Sequence, residues 1–500
     1  MLSSPFVVRR MWKLLVAIPA ISAFLAVSAL AQDSPEFDEY FIDQTMRVDY
    51  HHMGDAEDES ISLHSIYRQG VWAGSTTHLL DTFNQGRYYV KVYDDSSGRL
   101  IFSKGFDSIF GEYKTTTPAS DGIKRTYHES ALIPYPNRPI RFTIQARDRE
   151  NNLHDIFAQR IDPEDVNIIR EPVDADIRVF PMLRNGNPHT KVDVVLVAEG
   201  YTLQEEQKVI RDLQKFRQVL FSQEPYRSHT TNFNIHGVFK PSHQSGVDEP
   251  THGSFVNTAV NASFNSLGSA RYLLTEDNKT LRDIAAAAPY DAIFVMVNHS
   301  RYGGGGIYNL YCTFTTDNQW YEYLFLHEFG HSFAGLADEY YTSSTAYNDF
   351  YPRGIEPLEP NITALIPDRL KWRDLATPGI TIPTPWQKTR YDSLSTSYQR
   401  IREALNDKIA RMKRASAPAE EVEALEERAE VLSKEHADRL DEFLETSPFA
   451  GKVGAYEGAG YSSEELFRPM LDCIMFSKGA KPYCDVCEQA IIEVINYYTR

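Results

Sequence analysis

The chain is poor in cysteine: Cys312, Cys473, Cys484 and Cys487 are its four in 500 residues. A small disulfide-stapled scaffold is thereby excluded, and a chain this long divides among two or three hydrophobic cores. Cys484-Asp485-Val486-Cys487 has the spacing of a redox motif or half a zinc ribbon, but a ribbon needs a second close pair, which is absent. Structural disulfides are the expectation, with three possible pairings. Long apolar runs are equally scarce. The one present, Leu14 to Leu30, follows Arg9, Arg10 and Lys13 and ends at Ala29-Leu30-Ala31, so residues 1–31 read as a signal peptide. The chain is then expected to be exported, to a periplasm, a cell surface or the medium. No later stretch is long enough to span a bilayer. Positive charge is also short: the formal net charge is −18, and without residues 1–31 there are 48 Lys and Arg against 69 Asp and Glu. Such a surface argues against a nucleic-acid partner. Oligomeric state is left open.

Helical periodicity is missing from Glu36 to about Asp165. Arg87 to Tyr93 alternates apolar and polar residues, Asp94-Asp95-Ser96-Ser97-Gly98 turns the chain, Arg99 to Phe102 resumes, and Ile140 to Ala146 alternates again. These runs predict an N-terminal all-β sandwich over 32–165. His51-His52, followed by Asp55, Glu57, Asp58 and Glu59, reads as an exposed polar loop in preference to a metal site.

Between Ile161 and Arg184 the pattern weakens around Pro163, Pro172 and Pro181, which places a domain boundary there and a second domain over 166–500. Lys191 to Thr202 is a near-continuous buried strand ending at Gly200. A helix capped by Thr202 follows, then a helical stretch from Lys279 to Ala288 and a second buried strand over 291–298. This order predicts an α/β layer. Tyr302 to Gly306 lacks the lysine of a phosphate loop; its glycines suit either a tight turn or an edge strand that pairs with an extended peptide. Apolar residues at three- and four-residue spacing (Leu394, Tyr398, Ile401, Leu405 and Ile409, then Val422, Leu425, Leu432 and Leu440) flank Ala415 to Pro418. They predict an inserted antiparallel helical hairpin over about 390–447 whose apolar stripe packs one helix on the other.

The chemistry centres on His327-Glu328-Phe329-Gly330-His331. Two histidines four apart share a helical face, so both imidazoles reach one metal ion while Glu328 faces its open position. His327 and His331 are candidate ligands of one zinc ion, and Glu328 is the candidate general base. Trp320 to Leu326 supports a buried helix, and Gly335 ends it in a left-handed turn that swings Asp338 or Glu339 back toward the ion. Asp338 is favoured as third ligand, with Glu339 second and Glu457 a more distant candidate. Tyr461 is the candidate for steadying an oxyanion. Met475 suits either a methionine turn beneath the metal or plain core.

His-Glu-Phe-Gly-His-Ser-Phe-Ala-Gly-Leu-Ala-Asp-Glu-Tyr, 327 to 340, resembles the signature of peptidase family M64, often labelled IgA peptidases. The likeness extends to Ala198 to Thr202, Tyr302 to Gly306, Tyr456 to Tyr461, Phe467-Arg468-Pro469 and Cys473-Ile474-Met475. The better-understood metzincins differ: their glycine falls one place earlier, and Ala337 occupies their third-ligand position. The resemblance implies a secreted zinc metallopeptidase with a zincin-like domain, acting on a protein or peptide, with the β-rich region as an accessory domain. The label does not make antibodies the substrate. The alternative is a surface glycan- or protein-binding module with a structural metal; a hydrolase of non-peptide amides or esters is a third, weaker reading.

Overall fold

The computed structural model describes residues 34–342, 350–367 and 369–500; the expected signal peptide lies outside them. Residues Ser34–Arg500 form one compact unit. The N-terminal part runs α1 (Phe37–Tyr40), β1 (Phe41–Gly54), β2 (Glu59–Arg68), β3 (Tyr88–Asp94), β4 (Leu100–Phe106), α2 (Ile109–Tyr113), α3 (Thr117–Ser120), β5 (Arg125–Pro136), β6 (Ile140–Arg147) and β7 (Leu153–Ile161). It makes two antiparallel sheets, ordered β2-β1-β5 and β4-β3-β6-β7. Alternation sends Ile140, Phe142 and Ile144 of β6 inward, where they share a cluster with Met46, Val48 and Tyr50 of β1. Each strand thus contributes one face, which is what alternating apolar residues need.

The histidine pair expected in an exposed loop lies instead within β1, and His52 is buried. The reason is a pair of neighbours that the local sequence does not show. His52 Nδ1 meets Glu129 on β5 at 3.0 Å and Nε2 meets Glu59 on β2 at 2.9 Å, so both ring nitrogens are satisfied in the interior.

The C-terminal part continues with β8 (Arg178–Leu183), β9 (Val192–Glu199), α4 (Glu206–Leu220), β10 (Phe233–Phe239), α5 (Asn278–Ala285), β11 (Ala292–Val297), β12 (Gly304–Ile307), β13 (Tyr311–Thr315) and α6 (Tyr321–Ala334). Then come α7 (Lys388–Arg414), α8 (Ala419–Glu445), β14 (Tyr456–Ala459), β15 (Ser462–Arg468) and α9 (Asp485–Thr499). A six-stranded sheet has the order β12-β13-β11-β9-β10-β8. Its four inner strands are parallel; β12 and β8 run antiparallel at the two edges. Pro181, in the stretch read as a boundary, therefore sits on an edge strand, where its missing N–H costs no ladder bond. Every residue of β9 is buried because both faces are covered: Val194 and Leu196 face α4, α6 and α9, while Val195 and Val197 face α5.

The paired helices α7 and α8 touch through Lys413 and Glu426 near the turn (2.7 Å) and through stacked Tyr398 and His436 farther down (centroids 3.9 Å), so they run antiparallel. The apolar stripe is only partly used: Ile409, Val422 and Leu440 are buried, but Ile401 is 54% exposed. Two isolated helices offer each other a narrow seam, and Ile401 falls beside it.

Candidate metal centre

Helix α6 presents His327 and His331 one turn apart, their rings edge-to-face with centroids 4.7 Å apart. The helix stops at Gly335, whose left-handed backbone (φ 60°) lets Gly335 N and Leu336 N return to the carbonyls of His331 and Gly330. Asn361 holds the next residue from both sides: it accepts from Ala337 N at 2.8 Å and donates to Ala337 O at 2.9 Å. The extended segment that follows turns Asp338 toward the histidines and Glu339 away from them.

Asp338 Oδ1 lies 3.1 Å from His327 Nε2 and 3.2 Å from His331 Nε2, and the two Nε2 atoms are 3.1 Å apart. The other ring nitrogens are taken by backbone carbonyls, Nδ1 of His327 by Ile474 O at 3.0 Å and Nδ1 of His331 by Leu336 O at 2.5 Å. A carbonyl accepts only, so each Nδ1 carries a proton and the neutral ring turns its Nε2 lone pair to the shared point. Three such acceptor atoms repel unless a cation joins them. Ligands about 2.0 to 2.1 Å from a tetrahedral ion stand roughly 3.3 Å apart, so the triangle fits a metal ion. Without an ion at this point, burial would raise the Asp338 carboxyl but the facing His331 and His327 hold it well below the usual carboxylate range, so the third corner is an ionised carboxylate. Glu328 is shifted upward by burial, against the pull of the two histidines. It faces a cavity of about 110 Å³ together with Arg271, Tyr302, Tyr340 and Tyr461.

Of the other expected residues, Tyr461 and Met475 lie near this point and Glu457 does not line the cavity. Tyr461, expected at an oxyanion, donates its hydroxyl to Asp338 Oδ2, the carboxylate oxygen turned away from the histidines. Its backbone is left-handed (φ 62°), pinned by Gly460 N to Asp338 O and Tyr461 N to Tyr340 O. Glu457 lies on β14 and does not line the cavity. Met475 is buried under α6, next to Gly330. The glycine run forms an edge strand, β12, against α6. Its outer side is partly closed, since Leu273 N donates to Gly304 O at 3.3 Å, so the pairing of an extended peptide along it finds that position taken. Arg271, Tyr302, Tyr340 and Asn361 were missed by sequence reasoning; of these only the two tyrosines stand inside the quoted motifs. A larger cavity of about 360 Å³ shares Arg271, Tyr302 and Tyr340 and continues along the helical pair past Tyr398, Arg402 and His436.

The expected disulfides are not formed. All four cysteines are buried free thiols: Cys312 lies in β13, while Cys473, Cys484 and Cys487 gather around Glu339. Cys473 reaches the other two because the loop at 473–484 folds back on the start of α9, so three sulfurs meet where a disulfide joins two.

Two histidines and an aspartate converging on one point, with a glutamate beside them in a cavity, define a metal-dependent hydrolase. Residues 180–495 match the family model described as IgA Peptidase M64, and residues 36–158 match Peptidase M64 N-terminus. The chain belongs to peptidase family M64, whose members are metallopeptidases, and it has an N-terminal domain ahead of its catalytic domain. It is a peptidase with protein or peptide as substrate. No individual curated protein matches it. Among the described residues no helix is long and apolar enough to cross a membrane.

Proposed function

We propose that the chain is an exported zinc metalloendopeptidase in which His327, His331 and Asp338 hold one zinc ion and Glu328 is the general base. The observation that carries this is the triangle of Nε2, Nε2 and Oδ1 atoms with both Nδ1 protons committed to backbone carbonyls. When bound, zinc supplies Lewis acidity toward water and toward a peptide carbonyl. Glu328 takes the proton of the attacking water on its carboxylate and returns it to the departing amine. Tyr461 orients Asp338; acting on an oxyanion would require its hydroxyl to leave that carboxylate. Arg271 and Tyr340, joined at 3.3 Å, border the cavity where the substrate carbonyl would lie.

The two N-terminal sheets are read as a β-sandwich accessory domain over 32–165, and 166–500 as a zincin-like domain carrying the inserted hairpin. Export rests on residues 1–31. Glu328→Gln tests the mechanism: cleavage of a diverse peptide library, read by mass spectrometry, should be lost while the metal content stays at the wild-type level. A Glu328→Gln variant that still cuts overturns the assignment.

A further inference from the structure

We propose that Cys473, Cys484, Cys487 and Glu339 form a second, closed zinc site that ties the Asp338 segment to the loop beneath the catalytic helix. One ligand atom from each of the four residues lies within 4.8 Å of the others, and all four residues are buried. Cys473 Sγ is 3.9 Å from Cys487 Sγ, and Glu339 Oε1 is 3.2 Å from Cys487 Sγ and 3.8 Å from Cys484 Sγ. Around a tetrahedral zinc with bonds of about 2.3 Å to sulfur and 2.0 to 2.2 Å to oxygen, ligand atoms stand roughly 3.5 to 3.8 Å apart. The observed spacings of 3.2, 3.8 and 3.9 Å bracket that range and are far from the roughly 2.05 Å of a disulfide.

Counting groups points the same way. Three thiols cannot pair off among themselves, so any one disulfide would leave a third thiol and a buried carboxylate behind. Glu339 Oε1 takes a hydrogen bond from Asn361 Nδ2 at 3.1 Å, but buried Oε2 has no partner in the protein. Burying a carboxylate with one oxygen unpartnered is costly, and a cation at Oε1 neutralises the charge that makes it so. Cys473 Sγ accepts backbone N–H groups from Met475 at 3.4 Å and Cys484 at 3.2 Å, the acceptor role that a metal-bound sulfur keeps. Cys484 stands at the N-cap position of α9, so Cys484 and Cys487 sit at the positive end of a 15-residue helix. Three sulfurs with one carboxylate select zinc over the harder divalent ions. Four protein ligands leave no open position, which makes this site structural.

Its place explains what it holds. Asp338 and Glu339 are adjacent in an extended segment, so one faces each site. Cys473 precedes Ile474, whose carbonyl orients His327, and Met475, whose carbonyl accepts Glu339 N at 2.9 Å. Fixing Cys473 and Glu339 on one ion therefore fixes both the His327 tautomer and the approach of Asp338. This site stands whether or not Glu328 is the general base.

The test uses the full chain and has a readout apart from activity. Elemental analysis should find two zinc ions per chain, falling to one in His331→Ala and to one in Cys487→Ser. Replacement by cobalt(II) should give the near-ultraviolet absorption of thiolate-to-cobalt charge transfer in wild type and in His331→Ala, since the catalytic centre has no sulfur ligand, and its loss in Cys487→Ser. Should Cys487→Ser not fold, the wild-type and His331→Ala spectra still decide. A single zinc per wild-type chain without that absorption overturns the proposal. So does a native mass two hydrogens light with only one of the three thiols open to alkylation after unfolding.

Discussion

Gly306→Ala probes the contact on which the metal helix rests. A Cβ at Gly306 would stand 2.3 Å from the carbonyl oxygen of Glu328, 3.1 Å from its carbonyl carbon and 2.9 Å from His331 Cβ. A carbon needs about 3.3 Å from such an oxygen, so β12 and α6 must separate by roughly 1 Å. The atoms in the way are backbone, and no change of rotamer relieves them. Overpacking of this kind costs about 1–3 kcal/mol, and a shift of about 1 Å in catalytic groups costs on the order of 100-fold in rate. Peptide-library turnover should therefore fall about 100-fold, with the denaturation midpoint lowered and the metal retained. Gly304→Ala provides a graded comparison, because its Cβ would meet the end of the Glu328 side chain at 2.8 Å and the nearest backbone atom, Thr313 O, at 3.0 Å. That side chain can rotate, so activity should drop with less loss of stability. Gly70→Ala, with nothing within 4 Å, is the neutral control. If Gly306→Ala turns over and unfolds like Gly70→Ala, the strand does not set the position of the helix and the reasoning fails.

Tyr461→Phe removes the hydroxyl on Asp338 Oδ2 and should weaken metal binding about 10- to 100-fold, measured by competition with a chelator; an unchanged affinity would show that Asp338 needs no such support. Cutting the helical pair back, by joining Arg402 to Leu432 through a short turn, removes Asn406 and Asp407 from the larger cavity. The pattern of cleaved peptides should change with the metal kept, and an identical pattern would separate the helices from substrate choice. Away from the site, Asp193 N donates to Asp291 Oδ2 at 2.8 Å. Burial, then the Asp291 charge, pushes the Asp193 carboxyl up to about 8, and burial pushes Asp291 up to about 7. Both folded values exceed the unfolded carboxylate value of about 3.9, so this contribution to stability is complete below that pH and is lost as pH rises through about 7 to 8. The thermal midpoint should fall from about pH 4 to about pH 8 and level off above it, and less so in Asp291→Asn; parallel curves would refute the assignment.

Local geometry made much of this protein legible. A four-residue histidine spacing puts two side chains on one helical face whatever surrounds the helix, and Gly335 announces the turn that ends it. The buried runs at 192–199 and 292–297 read as strands because a parallel sheet covered on both faces favours apolar residues there, with Asp193 and Glu199 the buried exceptions. His52 was misread for the opposite reason: its type suggests water, and only Glu129 and Glu59, brought by neighbouring strands, satisfy its ring nitrogens in the interior.

Sequence by itself determined the helix, its two histidines, its glutamate and the turn behind them, since each depends on neighbours within a few positions. Tertiary structure alone decided which of two adjacent carboxylates faces the histidines, because Asn361, Tyr461 and the carbonyl of Ile474 come from segments 22 to 147 residues away. It also brought Cys473 and Glu339 to Cys484 and Cys487, turning an apparent half motif into a cluster of four. Side-chain direction after a left-handed turn is set by what the chain folds back against, and that information is nonlocal.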